Sequence, residues 1–568
     1  MTATNYRIPK LKNKIDFFVN RVYNNKKIFF DAGDIPFGCD TLLKQREISI
    51  GNVNTGGTPM SNVLVIDVGS QSMRGIIFDD KGNLLIKEQV KYEPYKSKAN
   101  GYVEESADHY FDVLCGITNA IRAKAPELLD SVIAMSVDTF RDTAVLLDEN
   151  NTPLRDCILW SDQRKAIVNY KKLPWFTRFC LKLVGMDGAV KAIRKKIKTR
   201  WIQQNEPEVW AKVSKIAHIS VYLNYRLTGN LTDSYAATIG LQPFDYKKRK
   251  WHTKNALLFP VYDVPLDMMV PVCNPGDQIG VISEQISKLS GLPVGLKVIA
   301  SGSDKGCETL GNGCVDSNVA SVSFGTASSI QFSTKKYFEP EAFMPAYPAV
   351  LKDYYNPETQ IFRGYWMISW FKQNFAEIFE ERAKQTGKSV EELMNEEIDK
   401  IPAGCDGLVL QPFWQAGLTT PEARGAIIGF SDFHSRAHMY RAIIEGIDFA
   451  LREALERMER RGKQKIEYIT ISGGGSQSDV ICQIAADIFG RPVKRAQTYE
   501  TTGLGAAIVT FMSQGVFRDE REAVKQMVRY TKIFTPNPET AKVYDDIFYN
   551  IYLKMYKKLR KFYKHLEK

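Results

Sequence analysis

Two stretches of this 568-residue chain, about 255 residues apart, are written on one plan. In the first, VLVID (63–67) is a short apolar run that reads as a buried strand. It stops at the turn formers Gly69-Ser70-Gln71-Ser72. Gly75-Ile76-Ile77-Phe78 then leaves as a second strand toward a hairpin turn at Asp79-Asp80-Lys81-Gly82-Asn83. The second copy, VASVSFGTASSIQF (319–332), again sends a strand into a small polar turn, Gly325-Thr326-Ala327-Ser328, and a strand out of it. A unit that recurs at this distance points to two domains built alike. Such turns also aim backbone N–H groups at an anion, and small residues let a phosphate approach the main chain. One turn of this kind is an ordinary hairpin more often than a site. Two of them, one per domain, suit a polyphosphate gripped from both sides. Asp67, immediately before the first turn, adds a carboxylate able to hold Mg²⁺ through water beside a phosphate.

Composition narrows the class. The chain is 44% hydrophobic and 25% charged, as ordinary globular proteins are, and long enough for two or more cores. No apolar run is long enough for a transmembrane segment, and the N-terminus (MTATNYRIPKLKNK) lacks the apolar core of a signal peptide. The nine cysteines show no CxxC pair, so a cytoplasmic protein with reduced thiols is expected. The net charge of +11 is concentrated: residues 164–200 hold twelve Lys or Arg against one acid, Asp187. Such a block attracts an anionic ligand, a membrane surface or nucleic acid, although charge runs are usually solvated faces. Within it, LPWFTRFCLKLVGM (173–186) mixes aromatics with cations, a pattern that suits a membrane surface or an anionic partner.

Residues 1–61 read as an extension ending in a linker, GNVNTGGTPMSN. YITISGGGSQSDVICQIAADIFG (468–490) reads as a strand, a glycine turn and a helix capped by Ser476 or Ser478. Another helix starts near Thr502, and residues 521–568 read as a basic helical tail. Gly387-Lys388-Ser389 imitates the end of a Walker loop, but the upstream glycine position holds Arg382, and EERAKQTGKSVEELM reads as helix–turn–helix. The HRD and DFG motifs of protein kinases are absent.

Several ordered segments resemble the FGGY carbohydrate kinase family, which includes glycerol, xylulose, ribulose and gluconate kinases. The most specific is GAIIGFSDFHSRAHMYRAIIE (425–445), similar to the family's C-terminal signature. ISGGGSQSD (471–479) resembles its adenosine-binding turn and ETTGLGAA (500–507) the motif after it. ILWSDQR (158–164) and GNLTDSYAATIG (229–240) resemble two segments of its N-terminal domain. The likeness runs from about Val63 to Val516. Two departures stand out: the first turn has Ser and Gln where the family favours Thr, and Lys198-Thr199-Arg200-Trp201 has Thr at a usually apolar position.

The resemblance implies an α/β fold of two actin-like (ribonuclease H-like, ASKHA) domains with a cleft between them. The expected divisions are an N-terminal domain over 62–310, a C-terminal domain over 311–520 and the tail. It implies an alcohol-group phosphotransferase using ATP and Mg²⁺ on a small sugar or polyol, with no call for nucleic acid; a homodimer is compatible with it. Asp233 maps to the general base. Asp67 and Asp304 would serve the metal, Asp304 having the alternative of capping the next helix. Gly69, Ser70, Gln71 and Ser72 would meet phosphate with Arg74, opposite Gly325 and Thr326. Gly474, Gly475 and Ser478 would line the adenosine site. Arg141 and Asp142 would bind acceptor hydroxyls or form a structural ion pair, and Trp160 would stack on the sugar or fill the core. The rival reading is a non-catalytic nucleotide-responsive protein on the same scaffold.

Overall fold

A computed structural model describes residues 61–92, 101–183, 185–341, 344–417 and 420–566. The extension and linker expected over 1–61 lie, Ser61 apart, outside the described residues. Two six-stranded sheets organise the rest. The first comprises β1 (Asn62–Val68), β2 (Ser72–Asp79), β3 (Leu84–Lys91), β4 (Val132–Thr139), β5 (Gln278–Val281) and β6 (Lys297–Ser303), in the order β5-β6-β4-β1-β2-β3. The second comprises β7 (Val319–Phe324), β8 (Ser328–Gln331), β9 (Glu358–Ile361), β10 (Tyr468–Ser472), β11 (Val493–Ala496) and β12 (Tyr530–Phe534), in the order β9-β8-β7-β10-β11-β12. Each has an antiparallel meander (β1-β2-β3; β7-β8-β9), then two parallel neighbours, then an antiparallel edge. The repeat seen in the sequence is therefore a repeat of whole sheets.

The helices that matter below are α1 (Ala107–Lys124), α2 (Trp175–Leu183), α3 (Asp187–Lys196), α4 (Lys198–Asn205) and α5 (Ile219–Thr228). With them go α6 (Asp304–Gly311), α7 (Arg436–Gly462), α8 (Asp479–Phe489), α9 (Thr501–Ser513) and α10 (Leu553–Leu566). All seven residues of β1 are buried because both faces of the sheet are covered, which is why it reads as a continuous apolar run. The strand's period of two sorts them. Leu64, Ile66 and Val68 pack with Tyr110, Phe111 and Leu114 of α1 and Tyr222 of α5. Val63 and Val65 pack with Leu504, Ala507 and Ile508 of α9.

Helices α6 and α9 follow the parallel strands β6 and β11 and cross where both carry glycine. A Cβ on Gly311 would lie 1.8 Å from the Thr501 carbonyl oxygen, and one on Gly505 1.8 Å from that of Cys307. Backbone thus meets backbone at the crossing, and no other residue fits.

Three expectations are refined. Residues 521–568 are not a separate helical tail: β12 closes the second sheet, and Tyr544, Phe548, Tyr552 and Met555 belong to the main core of the second lobe. The Walker-like segment is two helices, with Gly387 at φ +71 ending the first and a Ser389–Glu392 capping box starting the second. Ser478, not Ser476, caps α8; Ser476 instead closes the glycine turn onto the Gly473 carbonyl (2.7 Å).

Candidate active site

The carboxyl ends of parallel strands are where open α/β sheets gather ligands, and here both sheets bring theirs to one place. In the first sheet, Val68 of β1 is in register with Thr139 of β4, and Thr139 with Ser303 of β6. The chain beyond each strand end carries Gly69–Ser72, Arg141 and Asp142, and Asp304. In the second sheet, β7 ends at Gly325-Thr326 and β10 at Gly473–Ser478. Side chains link the two sets. Lys305 donates to Ser323 (2.7 Å) while ion-paired with Glu308, and Ser472 donates to Glu308 (2.6 Å). Glu500, just before α9, pairs with Lys87 (2.8 Å) and Arg74 (3.3 Å) of the first sheet.

The first turn is tight. Gly69 N–H donates to the Ser72 carbonyl (3.0 Å), so a side chain at position 69 would crowd that oxygen. Gln71 is exposed and Ser70 partly so, while Ser72 is buried and accepts from Gln89 (3.1 Å). Trp160 is half-buried against the first core, and its indole N–H donates to Ser70 Oγ (2.8 Å). It therefore braces the turn rather than filling the core outright. Thr326 is exposed on the second turn, whose carbonyls accept from Tyr365 and Trp366. Tyr365 stacks on Phe324 (4.8 Å) under Gly475, where a Cβ would strike its ring at 2.2 Å. Gly474 is exposed with open space above it.

Four acids surround the first turn. Asp67 accepts from Arg74 (2.9 Å), whose guanidinium also approaches Glu500. Arg74's charge is thus already matched by two carboxylates, and it orients Asp67 rather than waiting free for phosphate. Burial, with Glu500 and Asp304 nearby, pushes the Asp67 carboxyl up to about 6 against the pull of Arg74. Asp138 is in register with Asp67 on the neighbouring strand, fully buried, and neither of its oxygens has a hydrogen-bond partner. Burial and the charges of Asp67 and Asp304 hold its carboxyl well above the usual range. The sequence reading passed over it, although a carboxylate in VIAMSVDT, an apolar strand, was the available signal.

Asp304 keeps about 29% of its side chain exposed. Capping of α6 is done by Ser303, which accepts from Gly306 N–H, so Asp304 is not spent on that task. Burial raises its carboxyl, opposed by Arg141 at 3.8 Å and by Lys305. Arg141 also donates to Ser303 (3.0 Å) and pairs with Glu358 of the second sheet (2.6 Å), another residue the sequence did not flag. Asp142 does not pair with Arg141. It sits at φ +54, accepts from Leu241 N–H (3.0 Å) and pairs with Lys198 (3.3 Å).

Asp233 lies apart from this group. It has no solvent exposure and lies in a two-residue strand paired with Val272–Cys273. It accepts from the Ser234 N–H (2.6 Å), and burial pushes its carboxyl up to about 6 against Ser220 and Ser234. The segment 229–240 does reach the site, but by its far end, where Gly240 lies against Asp142.

The comparisons agree with this geometry. Residues 62–311 match the profile of the FGGY family of carbohydrate kinases, N-terminal domain, and residues 320–514 that of its C-terminal domain. An uncharacterized sugar kinase of Escherichia coli is 28% identical over 490 residues, 85% of this chain and 91% of the relative. The ligand-bound xylulose kinase structure from Lactobacillus acidophilus superposes with a TM-score of 0.75 at 22% identity, covering 89% of this chain and all of that one. Plasmodium falciparum glycerol kinase, solved with ADP, gives 0.69 at 19% identity over 87% and 98%. Among the described residues no helix is long and apolar enough to cross a membrane.

Proposed function

This chain belongs to the FGGY family of carbohydrate kinases, two-domain actin-like phosphotransferases with an alcohol group as acceptor, and from that premise we propose which residues transfer phosphate here and to what. The reaction moves the γ-phosphoryl group of ATP to a hydroxyl of a sugar, sugar acid or polyol of the xylulose, ribulose, gluconate or glycerol type. The observation that carries the reading is the meeting of two phosphate turns with Asp67 and Asp304 where both sheets end.

The nucleotide would lie along Gly325-Thr326 and the Gly473–Ser478 turn, its terminal phosphates reaching Gly69–Ser72. A solved relative, a glycerol kinase, carries ADP, which supports an adenine nucleotide as the donor. Mg²⁺ fits the donor set: it needs only one or two carboxylates beside phosphate oxygens and water, and Asp67 supplies one, leaving Asp304 free for the acceptor. Asp138, next to Asp67 and held by burial well above the usual carboxylate range, favours its neutral form and leaves Asp67 as the charged member of the pair. When bound, the ion offsets phosphate charge.

Asp304 is assigned as general base in place of Asp233. It is part-exposed beside Arg141 at the end of β6, and burial raises its carboxyl, which makes it a stronger proton acceptor than an ordinary aspartate. As the acceptor oxygen bonds to the γ-phosphorus and the bond to the ADP oxygen breaks, the hydroxyl proton passes to Asp304. Arg141, held between Glu358 and Asp304, and Asp142, held by Lys198, would orient neighbouring hydroxyls. A panel of ketoses, polyols and sugar acids with ATP and Mg²⁺ tests the reading: one acceptor class should release ADP stoichiometrically with its phosphorylated product. ADP release with none of them would favour a nucleotide-responsive binding protein instead.

The titration of Asp67 gives a signed prediction. Its folded value, about 6, lies above the ordinary 3.8, so the carboxylate neutralises early as the pH falls. kcat/KM for ATP should decline below about pH 6, since a neutral Asp67 no longer supports the metal. Stability runs the other way: ionised Asp67 weakens the fold above about pH 6, and that cost fades as the pH drops toward 3.8. A flat kcat/KM profile across this range would remove Asp67 from the metal role.

A further inference from the structure

The function above uses only Lys198 of the basic block, and the structure separates its structural cations from its exposed ones. Four are structural. Arg164 is buried against Asp162 and Glu104, Arg194 donates to the Pro260 and Val261 carbonyls, Lys198 holds Asp142, and Arg200 holds Asp263. Arg178 is half-buried. The other seven, Lys165, Lys171, Lys172, Lys182, Lys191, Lys195 and Lys196, are exposed. Among the described residues only Lys191 of these forms an ion pair, with Asp187 at 3.5 Å, while Lys196 lies over the Phe362 ring and feels Asp142.

Helix α2 carries large apolar side chains outward, with exposed Lys182 in the helix and exposed Lys171 and Lys172 just before it. Trp175 is 72% exposed, Phe179 57% and Leu183 76%, with Phe176 beside them. Their spacing of four residues places them on one helical face. The opposite face carries Thr177 and Leu181, both buried; Leu181 packs with Leu173, Val190 and Val261 in a small core of its own. The helix is therefore anchored by one side and leaves the other as a contiguous apolar stripe, larger than chance exposure of single residues explains.

We propose that this face of α2 and its surrounding lysines is a peripheral docking surface for an anionic lipid bilayer. A short helix with Trp, Phe and Leu on one side and lysines flanking it lies in the plane of the interface. Its rings sit at headgroup depth and its ammonium groups on lipid phosphates. A second copy of the chain is the poorer occupant: a symmetric contact would press two such lysine clusters together, and like charges juxtaposed are unfavourable. No described helix is long and apolar enough to cross the bilayer, so this surface binds reversibly and in a salt-sensitive way.

The test is flotation of the full chain with vesicles of phosphatidylcholine containing roughly one-third phosphatidylglycerol, against phosphatidylcholine alone. About tenfold or greater enrichment on the anionic vesicles is expected, released at about 0.5 M salt. Trp175→Ser with Phe179→Ser should cut retention about tenfold or more. So should Lys171→Glu, Lys172→Glu and Lys182→Glu together, which leave the apolar stripe intact. Both variants should unfold at the parent temperature and keep the parent kcat. Absence of lipid binding, or equal binding to neutral vesicles, overturns the proposal. So does a concentration-dependent dimer abolished by the Trp175/Phe179 variant, since that would make the stripe a self-interface.

Discussion

Asp304→Asn should bind ATP normally and transfer phosphate about a thousandfold more slowly, whereas Asp233→Asn should keep its rate within about tenfold. The amide preserves the size of each side chain and removes only the ability to take a proton. At position 304 that ability is needed, because the carboxylate is the part-exposed acid beside Arg141 where the acceptor would sit. At position 233 the carboxylate faces Ser220, the Ser234 N–H and the interior, with no path to a substrate hydroxyl. Loss at 233 would act through the fold and would appear as a lower unfolding temperature. Nucleotide affinity by fluorescence titration and single-turnover transfer separate the two cases. Full loss of transfer in Asp233→Asn at unchanged stability, with Asp304→Asn still active, would return the base to Asp233.

The proposed move of the base from Asp233 to Asp304 shows what the sequence could and could not carry. The strand–turn–strand units, Asp67 and the glycine turn at 473–478 were legible because each is local: a few adjacent residues specify the backbone and its chemistry. The most specific match, 425–445, proves to be largely architecture. Arg441, Glu445 and Tyr544 form a buried network at the start of α7, with Glu445 accepting from both partners (2.8 and 2.7 Å). Strength of resemblance there reported packing, not chemistry. The acids were illegible for the converse reason. Asp138 meets Asp67 through parallel register between strands 71 positions apart, and Glu358 reaches Arg141 from the other lobe. Such pairings are properties of topology, and no local pattern announces them. Within SGSDKG the choice between cap and cleft rested on one residue's offset, with Ser303 taking the cap and freeing Asp304.

Gly505→Ala should be among the most damaging single changes in the molecule, although it adds one methyl. That carbon would lie 1.8 Å from the Cys307 carbonyl oxygen and 2.9 Å from Gly311 N, atoms of the opposing helix backbone that no rotamer can move. Helices α6 and α9 must separate, opening the core that α9 shares with β1 and β4. Overpacking a well-filled site costs about 1–3 kcal/mol, and contact with backbone on both sides of the crossing places this one at or above the upper end. Function suffers as well, because α6 begins at Asp304 and α9 follows Glu500, which holds Arg74 and Lys87. A displacement of about 1 Å at the reacting groups costs roughly a hundredfold in rate. Gly116→Ala in α1 is the matched control: that glycine is exposed with nothing within 4 Å of the added carbon, so the same methyl should stabilise by up to about 1 kcal/mol through helix propensity. Urea unfolding and steady-state kinetics of the two variants give opposite signs if the crossing is as tight as the backbone distances require. Parent-like stability and kcat in Gly505→Ala would mean the lobes are joined by some other contact.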